Sequence, residues 1–199
     1  MSSLRRLVLI RHGETAGQSS IRFHGSSDVE LSDEGRAQMR EVAGGLRTEV
    51  FDLIVASPLR RSWESARILS GGAPVRLEPD FREIDFGRWE GMTREEIEAS
   101  DPVLYRDWQQ KTADFEFPGG EARAAFRARV ERGLERLRRS GATSVLVAAH
   151  KGLIRAVTES LLGEKQGGDV PLGAAVALTR GPDGRWYRGR RGSEPQAAA

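Results

Sequence analysis

The stretch Leu7-Val8-Leu9-Ile10-Arg11-His12-Gly13-Glu14-Thr15 decides how the rest of the chain is read. Its first four residues are apolar at every position rather than at every second one. That is the pattern of a strand covered on both faces in a parallel sheet. Leu53-Ile54-Val55-Ala56 and Val145-Leu146-Val147-Ala148-Ala149 repeat it. Helical patterns separate the three runs. Ser32-Asp33-Glu34 offers an N-cap and two first-turn acids. Pro58 opens a second helical segment, which Gly71-Gly72 stops. A long helix is expected from Glu121 to Arg139, ended by Gly141, its polar face solvated and its Glu135/Arg139 pair one turn apart. Ala174–Thr179 reads as a strand, and Gly181-Pro182-Asp183-Gly184 as the turn of a closing hairpin through Trp186-Tyr187. The fold class that follows is α/β: a three-layer αβα sandwich around a mostly parallel sheet. Residues 1–188 form one domain, with about 78–120 as an irregular, partly helical cap and 189–199 as a flexible tail. Thr93 and Asp101-Pro102 are the helix starts within the cap.

Ligands of open α/β sheets gather beyond the carboxyl ends of the strands. Arg11-His12-Gly13 follows the first run, Ser57-Pro58-Leu59-Arg60-Arg61 the second and His150-Lys151-Gly152 the third. Two of the three histidines and arginines from two strands therefore converge on one edge, the composition of an anion site.

Composition narrows the chemistry. The 199 residues carry no cysteine, which excludes disulfides, thiolate metal sites and a cysteine nucleophile. The net charge is only +2, and three of the 31 cationic side chains are lysine, the rest arginine. Such a chain has little general attraction for nucleic acid or a membrane surface. No apolar run approaches the roughly 20 residues that span a bilayer, and the four apolar residues after Arg6 are too few for a secretory segment. A cytoplasmic location is expected. There is no G-x-x-x-x-G-K-[ST] loop, no G-x-G-x-x-G after a strand and no H-E-x-x-H pair, so no cofactor and no metal are expected, with carboxylate-only magnesium binding the one alternative that counting leaves open.

Taken in order, the motifs resemble the histidine phosphatase superfamily, also called phosphoglycerate mutase-like. They are Leu9–Thr15, Arg22-Phe23-His24-Gly25, Leu31-Ser32 with Gly35, Ser57–Arg61, Glu83–Gly91, Pro118-Gly119-Gly120-Glu121 and His150–Arg155. The resemblance implies His12 as the nucleophile that takes up the phosphoryl group and Glu83 as proton donor to the leaving group. Arg11, Arg61 and His150 would surround the phosphate, with Arg60 facing solvent. Thr15, Gln18, Arg22, His24, Lys151 and Gly152 are the surrounding candidate substrate contacts; a packed or solvent-bonded role is the equal alternative for Arg22 and His24. A neutral His12 with one ring nitrogen donating to a backbone carbonyl suits attack, and His150 is expected to serve as a protonated donor.

The sequence departs from the family at Gln18, where asparagine is usual, at Lys151, where glycine is common, and at Ala122, where serine is frequent. These bear on substrate preference. The implied activity is a metal-independent phosphomonoester hydrolase working through phosphohistidine on a small phosphorylated metabolite. Phosphoglycerate mutase is the alternative, but Trp89–Phe117 holds only Arg94, Arg106 and Lys111 against eight Asp or Glu, which disfavours a bisphosphorylated acid. A non-catalytic phosphate-binding module is the third reading. Glu83–Gly91 and the Pro-Gly-Gly-Glu segment look somewhat like the α-ribazole phosphatase branch, and phosphoglycerate-type and broad-specificity members stay open beside it. Trp63, Trp89 and Trp108 read either as an aromatic wall or as core.

Overall fold

The computed structural model describes residues 3–110, 115–164 and 168–189; Lys111 and the expected tail beyond 189 lie outside them. The three apolar runs are strands: β1 (Arg6–Arg11), β2 (Leu53–Ala56) and β4 (Ser144–Ala149). A short β3 (Val75–Leu77), too brief and too exposed to carry an apolar pattern, lies at one edge. β5 (Ala175–Arg180) and β6 (Trp186–Gly189) form the closing hairpin. Gly189 is therefore the last residue of a strand, paired with Ala177, and not the first of a tail. The sheet order is β3-β2-β4-β1-β5-β6, the first four parallel and the last two antiparallel.

Helices cover both faces. On one side lie α1 (Asp33–Gly44) and α2 (Arg60–Leu69), packed through Met39, Ala66 and Leu69 against Val8, Ile10, Ile54 and Leu146. On the other lie α5 (Arg123–Arg138) and α6 (Lys151–Leu162), packed through Val130, Leu134, Leu153 and Val157 against Leu7, Leu9, Val145 and Val147. Successive residues of β1 thus feed opposite layers, and Leu7 to Ile10 are all essentially inaccessible. Each such side chain is worth about 1.5–3 kcal/mol of transfer free energy.

Local chemistry sets the helix ends. Ser32 caps α1 by accepting from the Gly35 N–H. Thr93 and Glu96 close a reciprocal capping box on α3 (Arg94–Ser100). Pro102 opens α4 (Pro102–Gln109), and Gly141 (φ 81°) follows α5. The region between β3 and α5 is irregular apart from α3, α4 and two short 3-10 turns. Its aromatic residues decide between the two tryptophan readings. Trp89 is fully buried among Trp108, Phe115 and Phe117, and Trp108 also meets Phe23 and Tyr105. Both belong to the core, while Trp63 sits half-buried on α2 under Arg67. No helix among the described residues is long and apolar enough to cross a membrane.

Candidate active site

Because β1 and β4 are parallel neighbours with Arg11 opposite Ala149, the residues that follow them, His12 and His150, emerge side by side. Their ring centroids are 5.4 Å apart, and both side chains are buried. The Nδ1–H of His12 donates to the Gly13 carbonyl at 2.7 Å, which leaves the Nε2 lone pair free to attack. Gly13 makes this turn feasible: a Cβ there would lie 2.5 Å from the Gly35 carbonyl oxygen on α1. Burial, then the charges of Arg61 and Arg11, hold the pKa of His12 well below its ordinary value, so the ring is neutral.

The same causes, burial first and Arg61 next, hold the pKa of His150 well below its ordinary value. This works against the expected protonated donor, because desolvation and two neighbouring guanidinium groups both oppose an added charge on the ring.

Arg61, in the first turn of α2, is fully buried. Its guanidinium donates to the carbonyls of Ser27 (2.7 Å), His24 (2.9 Å) and Gly25 (2.8 Å). Burial lowers its pKa to about 10, so it stays charged at neutral pH. The loop presenting those carbonyls is itself held by Glu90, whose carboxylate accepts from the amides of Gly25, Ser26, Ser27 and Phe86. Arg60 instead faces outward and pairs with Glu30, as expected.

Arg11 donates to the Val170 carbonyl at 2.7 Å. Its Nε, the Nε of Arg61 and the Nδ1 of His150 are buried with no hydrogen-bond partner. Buried polar groups left unpaired cost about 1–3 kcal/mol each unless something pairs with them.

Glu83 is buried as well. Its carboxylate accepts from the Ile84 amide at 3.0 Å and the Gly152 amide at 2.8 Å. The latter is a first-turn N–H of α6, so the helix N-terminus receives the carboxyl. From α5, Arg129 donates to the Glu83 carbonyl at 2.9 Å and also grips the carbonyls of Asp80 and Arg82 and the carboxylate of Glu121. The α5 polar face is therefore only partly solvated. Arg139 pairs with Glu135 at the surface, but Arg129 reaches back under the acid-bearing loop.

The remaining candidates divide. Gly152 touches Glu83 directly. Lys151 stands beside His150 but forms an ion pair with Asp169, and burial lowers its pKa. Thr15 is buried and shapes its turn, its hydroxyl accepting from the Ser19 amide at 3.1 Å. Gln18 is exposed and adopts φ 60°, a left-handed conformation that asparagine tolerates better than glutamine. Arg22 donates to the Gly91 carbonyl and pairs with Glu96. His24 donates from Nε2 to the Gly17 carbonyl at 2.6 Å, with its Nδ1 buried and unpartnered. Ala122 is the N-cap position of α5 and offers no capping side chain there, which is the hydrogen bond a serine would supply.

Sequence reading left Ser57, Glu90 and Arg129 without roles. Ser57 and Glu90 lie inside quoted motifs, so the signal was present; Arg129 was hidden in an arginine-rich helix face.

The chain matches the histidine phosphatase superfamily (branch 1) over residues 7–177. It is 34% identical over 161 residues to phosphoserine phosphatase 1 of Hydrogenobacter thermophilus, covering 79% of this chain and 76% of that one. It is 36% identical over 170 residues to glucosyl-3-phosphoglycerate phosphatase of Mycolicibacterium vanbaalenii, covering 80% and 75%. The crystal structure of the α-ribazole phosphatase from Shigella flexneri superposes with a TM-score of 0.82 at 27% identity, covering 94% of this chain and 96% of that one.

Proposed function

Because this chain belongs to the histidine phosphatase superfamily (branch 1), we propose that it is a phosphoric monoester hydrolase of the histidine acid phosphatase type, acting without a metal on a small phosphorylated metabolite. The observation that carries this reading is the free Nε2 of neutral His12, grouped with the buried, unpartnered Nε of Arg11, Nε of Arg61 and Nδ1 of His150. Phosphoryl transfer asks for positioning and for charge spread over the equatorial oxygens, and these residues supply both.

In the first step Nε2 of His12 attacks phosphorus, the ester P–O bond breaks, and the leaving oxygen takes the proton of Glu83. In the second, Glu83 takes a proton from water as its oxygen attacks phosphorus, the P–N bond breaks, and neutral His12 returns. The same carboxyl serves as acid and then as base, as a two-step displacement requires. The substrates named for the relatives support an alcohol-type phosphomonoester, with a cytoplasmic enzyme binding no nucleic acid as the setting.

Phosphate release from a panel of phosphorylated metabolites, with His12→Ala as the blank, tests the proposal. Turnover confined to the parent protein, with acid-labile phosphate trapped on His12, supports it. Turnover surviving in the variant refutes catalysis by His12, and isomerisation of phosphoglycerate without net phosphate release replaces the hydrolase with a mutase.

A further inference from the structure

The hydrogen bonds around His150 carry an inference beyond the catalytic assignment, though resting on it. We propose that Ser57 is a positioning residue that fixes His150 as the neutral tautomer with its proton on Nδ1. The ring then meets the phosphoryl group as an uncharged N–H donor.

Ser57 follows β2 as His150 follows β4, and the two strands are parallel neighbours. Both side chains are fully buried. The Ser57 Oγ lies 2.8 Å from Nε2 of His150 and accepts from the Leu59 amide at 3.1 Å. The Ser57 amide donates to Ser62 Oγ at 3.0 Å, which fixes the backbone that carries the hydroxyl. Three protonation forms of His150 can be weighed against these contacts. With the proton on Nε2, the ring donates to Ser57, the buried hydroxyl proton has no acceptor, and Nδ1 presents a bare lone pair where an anion must bind. With both nitrogens protonated, a cation is buried among Arg61, His12, Arg11 and Arg129, the groups that act on it electrostatically. With the proton on Nδ1, the Ser57 hydroxyl donates to Nε2 and every protein donor in the set is satisfied except Nδ1–H itself. That N–H is the buried nitrogen without a protein partner, and a phosphate oxygen accepts from it.

The consequence for catalysis is electrostatic. On the phosphate the positive charge then comes from Arg11 and Arg61 rather than from His150, so no imidazolium stands 5.4 Å from the nucleophilic ring to weaken it. When His12 carries the phosphoryl group, its ring meets no additional cation.

The test is a long-range proton–nitrogen correlation on protein labelled with ¹⁵N-histidine at pH 7, free and with inorganic phosphate, the His150 signals being assigned by their loss in His150→Asn. One protonated nitrogen at Nδ1 and a bare Nε2 are expected in both states. Ser57→Ala should produce a tautomer mixture and lower kcat/KM on the order of tenfold, part of the 10²–10³ that loss of a whole donor costs, and Ser57→Thr should restore both. An imidazolium or an Nε2–H ring in the parent protein overturns the proposal, as does Ser57→Ala with unchanged tautomer and rate. The spectrum of the parent protein decides even if the alanine variant does not fold. It requires no turnover, so it fails independently of the hydrolase reading.

Discussion

Gly152→Ala tests how closely Glu83, the proposed proton donor, must be held. Gly152 lies in the first turn of α6, where alanine is at least as favourable to the helix as glycine. A Cβ at this position, however, would lie 2.3 Å from Glu83 Oε1, and real Cβ contacts essentially never fall below 3.0 Å. The carboxyl must therefore move by at least about 0.7 Å, stretching the 2.8 Å hydrogen bond from the Gly152 amide. Misplacement on the order of 1 Å costs about 10²-fold in well-oriented reactions, within the roughly 10²–10⁴ that general acid–base catalysis supplies. The expected loss depends on the leaving group. An alkyl phosphomonoester needs the proton as its P–O bond breaks and should lose about 10²-fold in kcat/KM. The phenolate of p-nitrophenyl phosphate leaves without it and should lose less than about tenfold, since the clamp on the phosphate is untouched. Steady-state phosphate release on both substrates, with thermal melting to show that the fold is intact, gives the comparison. An equal loss on both substrates, or none on the alkyl ester, refutes the reasoning about Glu83.

Three other outcomes follow from the same geometry. Arg61→Lys replaces a fork that satisfies three carbonyls with a point charge; kcat/KM should fall about 10²–10³-fold, and phosphate-release kinetics within about threefold of the parent would contradict it. Glu90→Gln turns an acceptor for four amides into a group with one acceptor oxygen. Urea unfolding should show about 1–3 kcal/mol of lost stability, accompanied by weaker phosphate binding through Arg61; retention of both excludes the relay. His12 and His150 have folded-state pKa values below the ordinary 6.5, so below that pH the unfolded chain binds more protons. Their contribution is fully present above about pH 6.5 and is lost as pH falls, at up to about 1.4 kcal/mol per pH unit for each ring. Melting temperature should decline from pH 6.5 to 5, less steeply in His150→Asn, and a flat or rising profile would exclude buried neutral histidines.

Much of the site was legible because its residues flank recognisable strands. Once Leu7–Ile10 and Val145–Ala149 read as doubly covered strands, the next residues had to stand at one sheet edge, and His12 and His150 do. The left-handed backbone at Gln18 makes sense of the family's asparagine, but only after φ is seen. Arg22 points to a loop carbonyl and to Glu96 of α3 because of how distant segments meet, which no periodicity encodes. The same holds for Arg129, whose place in an Arg/Glu-rich helix face gave no reason to separate it from its solvated neighbours.

By itself the sequence determined the layered α/β plan, the helix caps and the residue types at the strand ends, since hydrophobic period and capping act over a few neighbouring residues. Tertiary structure alone decided protonation and aim. His12 and His150 have lowered pKa values because burial and two arginines surround them, and Glu83 is oriented by an amide 69 residues away. Desolvation and long-range hydrogen bonds depend on where distant segments pack, and that is settled only when the chain has closed around them.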